Sequence, residues 1–310
     1  MIFMKNKRLK QKNEELLSQR RDMQNQLREK DFELDLFKNK EQKKSKPKLL
    51  SPYKKLKYLF NSHGIHDYYI SSFIKEHIDK NFHIPISKEG NTKYVLNQLS
   101  KDNIQKVLNL FWIKKDWLYI DIKMYMTRLY TNNLSGFINF IHSRREAYDA
   151  IEVFAIKSEE LDYKDKDRSQ LLYLVVRAKI AMISNKEPIY RYYPIQSGWR
   201  WEYSKSRYQI KSIFNLLNKN SFKYSRIDVE GISVSKEELN CLEDKNFCPH
   251  MLLNKYALSK KWHPNDYVTK IDENSLAKEE EEFDFILDYI ESNKLNEIIT
   301  EKSVKVNKVE

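Results

Sequence analysis

Hydrophobic positions along this chain recur mostly at helical spacing. Over 5–44, Leu9, Leu16, Met23 and Phe37 fall seven apart, with Lys30 in the vacant slot. Leu27 and Leu34 continue a second column that begins as Asn13 and Arg20. A seven-residue apolar repeat predicts a long amphipathic helix that can pair as a coiled coil, for self-association or partner docking. The same pattern suits a single amphipathic helix or a partly disordered basic arm. Nothing of helix-breaking type interrupts it until the polar, basic run that ends in Pro47 and Pro52, which reads as a linker.

Beyond the linker the apolar spacing predicts helices over 53–82, 91–99, 101–113, 116–130, 134–141, 143–157, 203–217, 250–262 and 275–293. Residues 169–184 are apolar on nearly every face and read as a central buried helix. Pro188 and Pro194 bracket an expected irregular segment. In 203–217, Tyr203, Ile210, Ile213, Phe214 and Leu217 share one helical face, flanked by Arg207 and Lys211. Alternation appears only in 225–235 around Gly231, the best strand candidate. Ser235 followed three residues later by Glu238 has the form of a capping box.

The expected fold is therefore mainly α, with a small β element near 225–235. Its expected parts are a helical, coiled-coil-like arm at 1–45, a basic linker at 46–52, a helical body at 53–293 and a flexible tail at 294–310. Five glycines in 310 residues fit that expectation, because sandwiches and barrels need many left-handed turns.

Charge changes the picture more than composition does. The formal net charge is +12. Residues 1–57 hold 18 Lys or Arg against 8 Asp or Glu, 188–226 hold 8 against 1, and 272–310 carry a net −7. A basic front and an acidic tail suit an anionic partner at the basic end, although a Lys- and Asn-rich genome would also raise the lysine content. Two cysteines, Cys241 and Cys248, form no disulfide framework. No apolar run is long enough to span a bilayer, and Met1-Ile2-Phe3-Met4 runs straight into charges. A soluble, cytoplasmic protein is expected.

The stretch 188–226 interleaves ten aromatic side chains with its eight cations, the equipment for gripping an anionic polymer. Arg191, Trp199, Arg200, Trp201, Lys205, Arg207 and Lys211 are its candidate binding residues, with Tyr192 and Tyr193 as further stacking faces. The plainer alternative is that the rings pack a loop onto the body while the cations reach water.

Other chemistry is thinner. No glycines are spaced for a phosphate loop, and no G-x-S-x-G, H-E-x-x-H or C-x-x-C occurs. His63 with His66, and Cys241, Cys248, His250 and His263, are residue types that zinc accepts, but their spacings match no common site and no metal or cofactor is expected. His66-Asp67 and Asp165-Lys166-Asp167 lack the structural context of the enzyme motifs they share letters with. The same holds for Asp162-Tyr163-Lys164, and Asp228 with Glu230 lacks a third carboxylate.

The leading expectation is a non-catalytic binding and assembly protein for an anionic polymer, nucleic acid above all. The alternatives are an enzyme on an anionic polymer or glycan, of transferase or phosphoesterase class, and a peripheral membrane or scaffold protein that meets acidic lipid.

Overall fold

The computed structural model describes residues 50–126, 128–129, 134–148, 150–161, 170–183, 187–196, 199–218, 227, 229–244, 247–256, 261–264 and 276–295. The expected arm at 1–45, with its coiled-coil pairing, lies outside them. The chain divides into two units, Met1–Leu50 and Ser51–Glu310, and all that follows concerns the second.

The expectation of a mainly α body with one small β element is wrong. A mixed sheet forms the middle of the unit, in the order β4–β3–β2–β6–β7. Its members are β2 (Ile151–Ser158), β3 (Leu171–Ile183), β4 (Glu187–Gln196), β6 (Val229–Val234) and β7 (Lys261–Trp262). Two short pieces complete it: β1 (Arg128–Leu129) lies parallel to the end of β4, and β5 (Trp199–Arg200) pairs with the start of β3. Strands β2, β3 and β4 are antiparallel in sequence order, after which the chain crosses over and β6 pairs parallel to β2, Phe154 opposite Glu230.

Helices cover both faces of this sheet. Phe154, Ile156, Tyr173, Val175, Tyr192, Ile232 and Val234 face a core shared with α1 (Pro52–Ser62), α2 (Ile70–His77), α3 (Thr92–Asn97) and α4 (Lys101–Leu110). Helices α7 (Lys236–Cys241) and α8 (Pro249–Lys255) close that layer. The alternate residues Val153, Ala155, Leu172, Leu174, Val176, Ala178, Tyr193 and Ile195 face α5 (Leu134–Ala147), α6 (Ser204–Asn218) and α9 (Leu276–Ser292).

This two-sided burial explains why 169–184 and 143–157 read as helix. A strand with apolar layers above and below loses its polar alternation, and an unbroken apolar run is then shared by buried strands and buried helices. The helix expected over 134–157 in two pieces is one helix, α5, followed by β2. The one expected over 116–130 is a short 3-10 turn, Lys115–Leu118, followed by an isolated bridge between Ile113 and Tyr125 and then β1. The Pro188–Pro194 segment is no irregular loop either. Both prolines lie in β4, which has β3 along one side and, among the described residues, only β1, at Ile195 and Gln196, along the other. An edge strand tolerates proline because one side of its backbone needs no ladder hydrogen bond.

The helix expected over 250–262 stops at Lys255, and Lys261–Trp262 form β7 instead, whereas the capping box matches. Ser235 and Glu238 form the capping box at α7, each side chain bonded to the other's backbone N–H. Helix α4 ends with Trp112 at φ 63. There the Ile113 N–H donates to Leu108 O at 2.8 Å and the Trp112 N–H to Asn109 O at 3.2 Å, a Schellman ending normally given to glycine. Its neighbours hold Trp112 in place: the indole N–H donates to Met126 O at 2.7 Å. No helix among the described residues is long and apolar enough to cross a membrane.

Gly231 is required where β7 joins the sheet. A Cβ there would collide with the carbonyl oxygen and the indole ring of Trp262. Gly231→Ala should cost about 1–3 kcal/mol of unfolding free energy in urea titration, with hydrogen-exchange protection lost first at Lys261 and Trp262. A cost below about 0.5 kcal/mol, within the range of an ordinary surface substitution, would show that β7 does not pack on β6 as described.

Candidate functional site

The stretch 188–226 starts in β4, which sends successive side chains to opposite faces of the sheet. Tyr192 packs under α8 and Tyr193 under α5, and both rings are buried. Arg191 is half-buried and turned along the edge: its guanidinium bonds Asn109 O at 2.9 Å and also reaches Leu110 O and the Tyr148 hydroxyl. A cation on the last carbonyls of α4 offsets that helix's negative end, so Arg191 is a structural fastening.

Beyond β4, β5 pairs with the start of β3, Leu172 opposite Trp199 and Leu171 opposite Arg200. Strand alternation sends Trp199 and Trp201 inward and Arg200 outward. Each tryptophan is 1% exposed, and both belong to the core beneath α5 and α6. The ring faces on which bases would stack are occupied by protein. Arg207 and Lys211, expected to bind from the flank of the helix's apolar face, are buried against Trp201: Arg207 donates to Trp201 O at 2.7 Å, and the Lys211 ammonium sits 5.6 Å from the Trp201 ring centroid. Of the seven candidates, Arg200 and Lys205 stand exposed.

Sequence reasoning missed Tyr203. Its sevenfold spacing to Ile210 placed it on the buried face, but α6 begins only at Ser204, so the helical stripe does not extend to it. Tyr203 is instead 65% exposed, and it ends a turn in which its N–H donates to Arg200 O at 3.3 Å. The acid of this stretch, Glu202, accepts the Gln170 N–H at 3.2 Å. Arg200, Tyr203 and Lys205 thus emerge together where β5 passes into α6.

A second cluster lies inside the other layer and joins residues up to 185 positions apart. His63, at the end of α1, directs Nδ1 at Leu59 O, 2.8 Å away. A carbonyl only accepts, so Nδ1 carries the hydrogen and Nε2 is the acceptor of the neutral ring. The Tyr125 hydroxyl lies 3.0 Å from that Nε2 and 2.9 Å from Cys248 Sγ, and its single hydrogen serves one of them at a time. Beside it, the Tyr192 hydroxyl meets His250 Nδ1 at 2.7 Å, and Asn254 meets His250 Nε2 at 2.8 Å. Gly64, at φ +84, makes room for His250: a Cβ there would come within 3.1 Å of Nε2.

Burial sets the chemistry of this cluster. It pushes the Cys248 thiol up to about 11 and the His63 imidazole down to about 4, so both are neutral near pH 7 and the sulfur is a thiol rather than a nucleophilic thiolate. The zinc-type residues are held apart: the Cys241 thiol meets Glu237 O at 3.3 Å, Cys248 meets Tyr125, and His66 stacks on Tyr68. Among the described residues no three His, Cys, Asp or Glu side chains converge as metal ligands. A cavity of ≈ 40 Å³ adjoins Tyr125, with Lys123 and Glu243 paired at 2.7 Å in its wall. It has room for water and is far below the several hundred Å³ of a metabolite pocket.

Comparison with known proteins finds no matching family model, no matching curated protein and no matching solved structure.

The buried histidine predicts an acid-sensitive fold. Unfolded, His63 takes a proton near pH 6.5; folded, it does so only near pH 4. Its stabilising contribution is therefore complete above pH 6.5 and is lost as pH falls toward 4, about 3 kcal/mol in all. Between those pH values the native chain should lose about that much more unfolding free energy than His63→Gln, which keeps an amide at the site but cannot protonate. Parallel stability–pH curves for the two would contradict this burial.

Proposed function

We propose that this chain is a non-catalytic binding protein for an anionic polymer, nucleic acid, and that it holds the phosphates with exposed cations. The observation that carries this reading is the pairing of Arg200 and Lys205 in solvent at one junction, with Glu202 engaged by the Gln170 backbone. The junction opens a helix of 15 residues, whose first N–H groups add partial positive charge at the same place. The wider charge supports the reading: 1–57 and 188–226 are the basic segments of a chain of net charge +12.

Cations that contact phosphate release counterions, so affinity falls linearly in log–log form as salt rises. Fluorescence anisotropy with a labelled oligonucleotide across a salt series tests this on the full chain. Arg200→Ala with Lys205→Ala should weaken binding and reduce the salt slope by about 1.4 on a single strand to about 1.8 on a duplex, the share of two phosphate contacts. Absence of binding to DNA and RNA at about 50 mM salt, where electrostatic contacts are strong, would overturn the reading.

A further inference from the structure

Resting on that reading, we infer that the polymer is single-stranded nucleic acid and that the Tyr203 ring is the platform on which one of its bases stacks. The stretch contains many rings, and most of those among the described residues are covered. Trp199, Trp201, Tyr192 and Tyr193 are enclosed, and Tyr208 lies against Phe285 with ring centroids 5.6 Å apart and an interplanar angle of 13°. Tyr203, at 65% exposure, presents its ring to solvent.

Its position is also constrained. The Tyr203 N–H bonds Arg200 O, and the Tyr203 carbonyl accepts the Arg207 N–H at 2.9 Å as α6 begins. On the inner side, the Trp201 N–H donates to Gln170 O at 2.8 Å, and the two tryptophan side chains are sunk in the core. The ring therefore stands on a turn anchored at both ends, between Arg200 three residues before it and Lys205 two residues after it. An exposed ring flanked along the chain by two exposed cations suits a strand whose bases are unstacked: phosphates meet the cations while a base lies on the ring. A duplex keeps its base faces inside its own stack and offers such a ring only grooves and backbone.

Stacking adds affinity without releasing counterions, so it separates cleanly from the phosphate contacts. Full-length chain, Tyr203→Ala and Tyr203→Trp are titrated with a single-stranded oligonucleotide and with the same sequence as a duplex, each over a salt series. Tyr203→Ala should lose about 5- to 150-fold in single-strand affinity, the worth of one base–aromatic stack, with the salt slope and the duplex affinity unchanged. Tyr203→Trp, which keeps a stacking face, should hold its single-strand affinity. If the native chain binds and Tyr203→Ala binds single strands equally well, or loses equally on the duplex, the inference is overturned while the electrostatic reading stands. If the native chain binds neither oligonucleotide at low salt, both fall.

Discussion

Strand β3 is buried against neighbours along its edges and over both faces, and the rest of the unit depends on that placement. Tyr173 and Val175 enter the core under the N-terminal helices, while Leu172, Leu174, Val176 and Ala178 enter the core under α5 and α6. Each large apolar side chain so buried is worth about 1.5–3 kcal/mol, and because alternate residues serve opposite cores, the two helical layers are stabilised through one strand. A shift of β3 by one residue would exchange the two sets. The ion pair of Arg177 with Glu152 at 2.5 Å on neighbouring β2 also marks this register.

The same strand shapes the proposed binding junction. The start of β3 outlasts its pairing with β4, and β5 uses the remaining edge. That pairing forces Trp199 and Trp201 inward and leaves Arg200 outside. The aromatic richness of the stretch is thereby divided between anchors and platform. The buried tryptophans anchor the turn, with Arg207 and Lys211 against Trp201, and Arg200, Tyr203 and Lys205 are what that turn presents. The buried His63–Tyr125–Cys248 cluster belongs to the other layer, where it ties α8 to α1.

Features set by local chemistry were legible in the sequence. The α6 stripe of Ile210, Ile213, Phe214 and Leu217, the capping box of Ser235 and Glu238, and the strand around Gly231 all depend on residues within a few positions of one another. The sheet was not legible, because burial on both sides removed the alternation of β2 and β3, and because Pro188 and Pro194 are acceptable only on an edge that the sequence does not display. Tyr203 was misplaced by the start of α6, a boundary of one residue. The approach of Cys248 to His63 depends on how α1, β4 and α8 stack, and no spacing along the chain carries that.

The proposed division of roles lies within one turn: Arg200, Tyr203 and Lys205 would touch the polymer while Trp199 and Trp201 remain enclosed beneath it. An NMR titration of the full chain with a single-stranded oligonucleotide, read at the backbone amides and the indole N–H groups, tests it directly. Shift changes should concentrate at 200–205, with the Trp199 and Trp201 indole signals unmoved. Movement of those two indoles while 200–205 stay in place would contradict it.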